Sequence, residues 1–159
     1  MKLELKNIKV AASLSEETTA FTATLWVDGK PAAAVSNHGT GGCNDYHPLR
    51  GPDGAYDRSG LAAAEAYVKS LPKRKFPAEW GGGEYAPNLD TLVAELLEAA
   101  EEDRKLRRLC RTKVVLADPK LPAGEYRTLG KPYRPEWKPE ILARFPGCEI
   151  VNERYAAAA

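Results

Sequence analysis

The sequence predicts an α+β fold: a mainly antiparallel sheet with helices packed on one face, in a single domain. Three observations lead there. The first third alternates apolar and polar residues around an Asp-Gly pair, the middle carries two segments with apolar residues at helical spacing, and the last third returns to short alternating runs. With 159 residues, 43% hydrophobic and 28% charged, the chain is long enough to bury a core without disulfide or metal staples.

The run "LELKNIKVA" places Leu3 and Leu5, then Ile8 and Val10, at alternate positions, as a half-buried strand requires. In "TAFTATLWVDGKPAAAV" the apolar set Phe21, Ala23, Leu25 and Val27 falls on one face and Thr22, Thr24 and Trp26 on the other. Asp28-Gly29 joins this strand to "KPAAAVS" as a hairpin, because a primed turn needs the positive φ that these two residues tolerate. Residues 37–56 hold so many turn formers that a long loop without a regular element is expected.

Helical spacing returns in "SGLAAAEAYVKSL", with Ser59 as N-cap, Leu61, Ala64, Tyr67, Val68 and Leu71 as the apolar stripe, and Pro72 as the stop. A second loop, "PKRKFPAEWGGGEYAP", follows; its Gly81 to Gly83 read as a bent connector. The longest helix is predicted in "NLDTLVAELLEAAEEDRKLRRLCR", capped by Asn88, with Leu89, Leu92, Val93, Leu96, Leu97, Ala100, Leu106, Leu109 and Cys110 as its stripe. Its acidic half, Asp90 to Asp103, precedes its basic half, Arg104 to Lys113, which complements the helix dipole. Strands are expected in "TKVVLADP" and "GEYRTLG", a short helix in "KPEILARFPG" with Pro139 in its first turn, and a last strand in "CEIVNERY". The domain is drawn over residues 1–155, with residues 156–159 as a disordered tail.

Formal net charge is +1 and the pI about 7.7, so no global field recommends nucleic acid or a membrane surface. The start lacks the apolar run of a signal peptide, and no stretch reaches the length of a membrane span. Cys43, Cys110 and Cys148 are odd in number and widely spaced, which argues for free thiols and against a disulfide framework. A cytoplasmic protein without cofactor is the expectation.

The least ordinary stretch is "VSNHGTGGCNDYHP", which holds both histidines of the chain. We read it first as a structured loop: its glycines supply positive φ, and Asn37, Asn44 and Asp45 bond the backbone. Two sharper readings stand beside that one. His38, Cys43 and His47, with Asp45 or Cys110 as a fourth group, are zinc-type ligands, although a second pair is missing. Alternatively Cys43 is a nucleophile, His47 or His38 its base and Asp45 or Asn44 the orienting group, with Gly41 and Gly42 offering N–H groups to an oxyanion. A phosphate nest in "GTGG" lacks the strand, helix and lysine context of known cradles.

Basic residues concentrate locally. Arg104, Lys105, Arg107, Arg108, Arg111 and Lys113 crowd the end of the long helix. "KSLPKRK" contributes Lys69, Lys73, Arg74 and Lys75, while "RTLGKPYRPEWK" interleaves Arg127, Lys131, Arg134 and Lys138 with Tyr133 and Trp137. Such segments can meet phosphates or an acidic protein, and the competing reading pairs Glu101 with Lys105 and Asp103 with Arg107 along the helix. Trp80, Tyr85, Tyr133 and Trp137 lie in Pro- and Gly-rich segments, where rings either pin loops or anchor an interface.

Taken together, "EETTAFTATLWVDGKPAAAVSNHGTGGCNDYHP", "RRLCRTKVVL" and "GEYRTLGKPY…EILARFPGCEIVNERY" resemble small proteins encoded by bacteriophages, prophages and plasmids, a group without assigned chemistry. The resemblance covers most of the chain outside the middle loop. It carries over no catalytic residue, and it implies a protein that binds host machinery, defence systems included. The expected function is therefore stoichiometric binding of a host protein or protein–nucleic acid complex through Arg104, Lys105, Arg107, Arg108, Arg111, Lys113, Trp80, Tyr85 and Trp137. The alternatives are an enzyme or zinc protein centred on His38, Cys43, Asp45 and His47, and direct nucleic-acid binding by the basic helix end.

Overall fold

The computed structural model describes residues 1–77 and 81–156, and its contacts separate into two compact units, Met1–Leu97 and Glu98–Ala159. The α+β class holds: among the described residues, four α-helices accompany strands that pair antiparallel and fall into three sheets, where one sheet was expected.

In the first unit, β1 (Leu3–Val10), β2 (Phe21–Val27), β3 (Lys30–Asn37) and β4 (Asp45–Pro48) form a meander in chain order. The β2–β3 turn is the expected Asp-Gly turn, with φ of 47° at Asp28 and 82° at Gly29 and Val27 opposite Lys30. Phe21, Ala23, Leu25 and Val27 are buried, and the core they share with Ala33 and Val35 is closed by Leu61, Ala64 and Val68 of helix α1 (Ser59–Lys69) and by Leu89, Val93 and Leu97 at the start of helix α2 (Leu89–Cys110). Small residues let α1 come close: a Cβ built on Gly60 would stand 2.8 Å from that of Ala32.

Three details of the first unit differ from expectation. Residues 37–56 do contain a regular element, β4, whose Asp45, Tyr46, His47 and Pro48 face Ser36, Val35, Ala34 and Ala33. A proline at the end of a short edge strand is tolerated because no further strand needs its missing N–H. Arg74–Lys75 (β5) and Glu84–Tyr85 (β6) pair as a small hairpin in the segment read as loop. Helix α1 begins at Ser59 itself, with Arg58 at the N-cap position and no side-chain cap bond; the Ser59 N–H instead donates to Asp57 Oδ1 at 2.8 Å, which satisfies one free donor of the first turn. Asn88 caps α2 as expected, its Oδ1 accepting from Thr91 N–H at 2.8 Å.

The second unit surrounds β7 (Val114–Ala117), the centre of a three-stranded sheet in the order β8 (Arg127–Leu129), β7, β9 (Glu149–Ile150). Val114, Val115 and Leu116 are fully buried, which fits an unbroken apolar run covered on both faces. Helix α3 (Lys138–Arg144) carries proline in its first turn and buries Ile141 against Val114, Leu116 and Ile150. The last segment departs from expectation: the strand stops at Ile150, and Asn152–Ala156 form helix α4. Ala156 thus closes a helix, and residues 157–159 lie outside the described residues.

Candidate functional site

The glycine-rich segment is built around one buried side chain. Asn37, 8% exposed at the end of β3, accepts at Oδ1 from Thr18 Oγ1 (2.7 Å) and Gly39 N–H (2.8 Å), and its amide donates to Gly42 O (3.4 Å) and Asn44 Oδ1 (3.1 Å). Gly41 N–H donates to Thr18 Oγ1 at 3.2 Å, and Gly39 O accepts from the N–H groups of Glu16, Glu17 and Thr18 at 2.9, 2.9 and 3.2 Å. Every hydrogen-bonding atom of the Asn37 side chain therefore has a partner, as a buried amide requires. Gly39, Gly41 and Gly42 all have φ between 87° and 91°, the region expected of them.

The hub extends to α2. Asn44 donates from its backbone N–H to Asp90 Oδ1 (3.2 Å) and from its amide to Tyr46 Oη (3.3 Å), while the Tyr46 hydroxyl donates to Asp90 Oδ1 (2.8 Å). Burial raises the Tyr46 pKa well above the usual phenol range. Asp90 also places its charge in the first turn of α2, where the helix dipole favours it.

The groups that motivated a chemical site stand outside this hub. His38, Cys43, Asp45 and His47 are all exposed. His38 Nε2 lies 3.7 Å from Asp45 Oδ2, and Asp45 and His47 project from the same face of β4. Among the described residues, no group of three or more His, Cys, Asp or Glu side chains is arranged to hold a metal ion. Cys110 lies in the other unit, half-buried, with its thiol pKa raised by burial. In sum, the loop resolves as a hydrogen-bonded turn carrying one exposed His–Asp pair.

The basic end of α2 belongs to the second unit, where acidic and basic groups separate. Glu102 accepts from Tyr126 Oη at 2.8 Å. Asp103 accepts from Tyr155 Oη at 2.8 Å and from Arg107 Nε at 2.7 Å. Arg104, Lys105, Arg108 and Arg111 remain on the exposed side, and Lys113 is half-buried. Of the two anticipated helix pairs, Asp103 with Arg107 forms; among the described residues, Glu101 with Lys105 does not. Arg107 is further placed over the Tyr155 ring at 5.1 Å, which makes it part of the unit's own packing.

The segment from β8 to α3 gathers cations around rings. Lys131 Nζ and Arg134 Cζ lie 4.2 and 5.3 Å from the Trp137 ring, and Arg127 and Arg144 lie 5.3 and 5.5 Å from that of Phe145. Trp137, Tyr133 and Phe145 are half-buried against the core of Val114, Leu116, Ile141 and Ile150. Tyr133 donates to Glu153 at 2.8 Å, as does Lys138 at 2.9 Å, and burial together with Glu153 pushes the phenol up to about 12. Tyr85 pins its hairpin by packing on Phe76, the ring centroids 4.6 Å apart. Arg74 joins the same hairpin to Glu95 of α2, and Trp80 lies outside the described residues.

One structural residue escaped the sequence reading. Asn152, 5% exposed, accepts from Val115 N–H at 2.8 Å and donates to Cys110 O (3.2 Å) and Lys113 O (2.8 Å), so it both extends the β7 ladder and closes the end of α2. An asparagine within "EIVNERY" carries no local signal of that role.

Fold and site thus define an α+β protein with hydrogen-bonded hubs at Asn37 and Asn152 and with cations gathered around rings from β8 to α3. Comparison with protein-family models, with curated proteins and with solved structures finds no match. Among the described residues, no helix is long and apolar enough to cross a membrane.

Proposed function

We propose that this chain is a binding protein that acts stoichiometrically on a host protein or protein–nucleic acid complex in the bacterial cytoplasm, as its resemblance to small mobile-element proteins implies; a defence system is one such target. The observation that carries the reading is the division of charge on the second half of α2. Tyr126 and Tyr155 hold Glu102 and Asp103, while Lys105, Arg108 and Arg111 stay exposed. Glu101 is exposed beside them, so this end offers three cations against one open carboxylate, an excess that matches an acidic partner surface and steers it electrostatically.

The test is affinity capture with the full chain from lysate of a bacterial host, followed by reconstitution with the purified partner. A complex of fixed stoichiometry that Lys105→Glu, Arg108→Glu and Arg111→Glu together abolish supports the reading. A complex insensitive to those changes overturns it, and so does catalytic turnover by the isolated chain.

A further inference from the structure

Two settings recur among the cations of the second unit. Arg107, Lys138 and Arg154 are neutralised by Asp103, Glu153 and Glu149 at 2.7 to 2.9 Å. Among the described residues, Lys131, Arg134 and Arg144 have no carboxylate partner and are held by aromatic rings, two at Trp137 and one at Phe145. Arg127 pairs with Asp118 at 2.9 Å as well as lying near Phe145, as Arg107 does with Asp103 and Tyr155, so both count as neutralised and, among the described residues, the three other ring-held cations stay uncancelled. A ring orients a cation without cancelling its charge, so these head groups are ordered in advance and keep their full attraction for an external anion. Bringing like charges to one ring is unfavourable in the free protein, and a bound anion relieves that repulsion.

We infer that Lys131, Arg134 and Arg144 form a contact surface for the phosphodiester backbone of double-stranded nucleic acid. This rests on the reading above that the second unit meets an anionic partner, and it names the partner's chemistry. Guanidinium forks match phosphate oxygens, and fixed head groups suit the regular charge lattice of a duplex better than the mobile carboxylates of an acidic peptide. The rings decide against base stacking. Trp137 and Phe145 pack on the core and carry cations, and the Tyr133 hydroxyl is committed to Glu153, so flat faces are not presented to unpaired bases. Glu136 and Glu140 are exposed in the same segment, so recognition depends on where the three cations stand and not on a uniform positive field.

Fluorescence anisotropy of the full chain tests this against three labelled probes: a short mixed-sequence DNA duplex, one of its single strands, and polyglutamate of comparable charge. The duplex should bind at least as well as the single strand, with an affinity that falls steeply as salt rises. Lys131→Ala with Arg134→Ala should weaken duplex binding roughly tenfold and flatten the salt slope by about two phosphate contacts. Lys138→Ala, which removes a neutralised cation, should leave it within about twofold. Trp137→Leu should weaken binding while leaving the salt slope in place, because it frees the head groups without removing charge. Preference for the single strand with quenched tryptophan fluorescence would overturn the inference in favour of a stacking platform. Binding of polyglutamate but not duplex overturns it while the proposed function stands, and binding of none of the three removes the inference and the charge argument beneath that function together.

Discussion

Each unit is organised around one buried asparagine, and the two differ in where their partners come from. Asn37 bonds Gly39, Gly42 and Asn44, two to seven residues away, and reaches farther only for Thr18. Asn152 bonds Val115, Lys113 and Cys110, separated from it by 37 to 42 residues. The near hub shapes a turn; the far hub ties a helix end, a strand and the last helix into one body. A hub with local partners announces itself by clustering Asn, Asp and Gly in sequence, whereas one with distant partners is a single unremarked residue.

The largest expected effect comes from Gly39→Val. A Cβ there would collide with Leu14 O and stand 2.8 Å from the Ala20 Cβ, at a φ of 87° that valine resists. Strain and overlap together should destabilise the first unit by about 3 kcal/mol or more, read from denaturant unfolding. Gly41→Val should cost roughly 1–3 kcal/mol, since it meets only the flexible Glu17 carboxylate, and Gly42→Val, facing open space, lies at the lower end. Equal effects at all three positions would mean the loop is not anchored through Gly39.

Next in size are the hubs themselves. Asn152→Ala strands the buried Val115 N–H and two carbonyls and should cost about 3 kcal/mol, whereas Asn37→Ala should cost about 2 kcal/mol because water can reach the Gly42 side of its loop. Denaturant midpoints of the two variants measure the contrast, and the reverse order would show that the local network carries more of the fold.

The elements that were legible follow the same division. Periodicity revealed β2, α1 and α2, and turn chemistry revealed the Asp28-Gly29 hairpin, because in each case the determining residues are neighbours. Strand β4 was hidden by the turn formers around it; its register is set by pairing with β3, and Tyr46 is fixed by Asp90, 44 residues on. Helix α4 was mistaken for strand because "CEIV" starts one and the switch at Asn152 is dictated by Val115 and Cys110. The basic helix end was readable as composition. Which of its cations are spent on the protein's own carboxylates and rings depends on tyrosines 24 and 52 residues away.

Acid should separate the units by a smaller margin. In the second, Asp118 is lowered by the Lys120 N–H and Arg127, Glu149 by Arg154, and Glu153 by Lys138 and Tyr133. At Asp103 burial opposes the charge, and the bonds from Tyr155 and Arg107 outweigh it. Depressed carboxylates contribute stability above their ordinary values of 3.8 to 4.5 and lose it as pH falls through their lowered folded values. Among the described residues of the first unit, Glu4 and Asp57 are the carboxylates that are lowered, and neither joins the Asn37 hub. The ring resonances of Tyr133 and Tyr155 should therefore broaden on acidification at a higher pH than those of Tyr46. The opposite order would place the acid-sensitive support in the first unit.

The smallest expected effect concerns the residues that drew most notice in the sequence. His38 and His47 are exposed, Cys43 is exposed, and the one His–Asp contact spans 3.7 Å between side chains 83% and 56% exposed, a geometry worth little in water. His38→Ala, His47→Ala and Cys43→Ser should each leave stability within about 1 kcal/mol, because none removes a bond of the Asn37 hub. They should also leave partner capture unchanged, since the basic face of α2 does not include them. Thermal unfolding and reconstituted partner binding check both halves of this expectation. A histidine or Cys43 variant that loses function while unfolding as the parent does would show that the turn is more than scaffold, its glycines then holding an imidazole or thiol in place for a ligand.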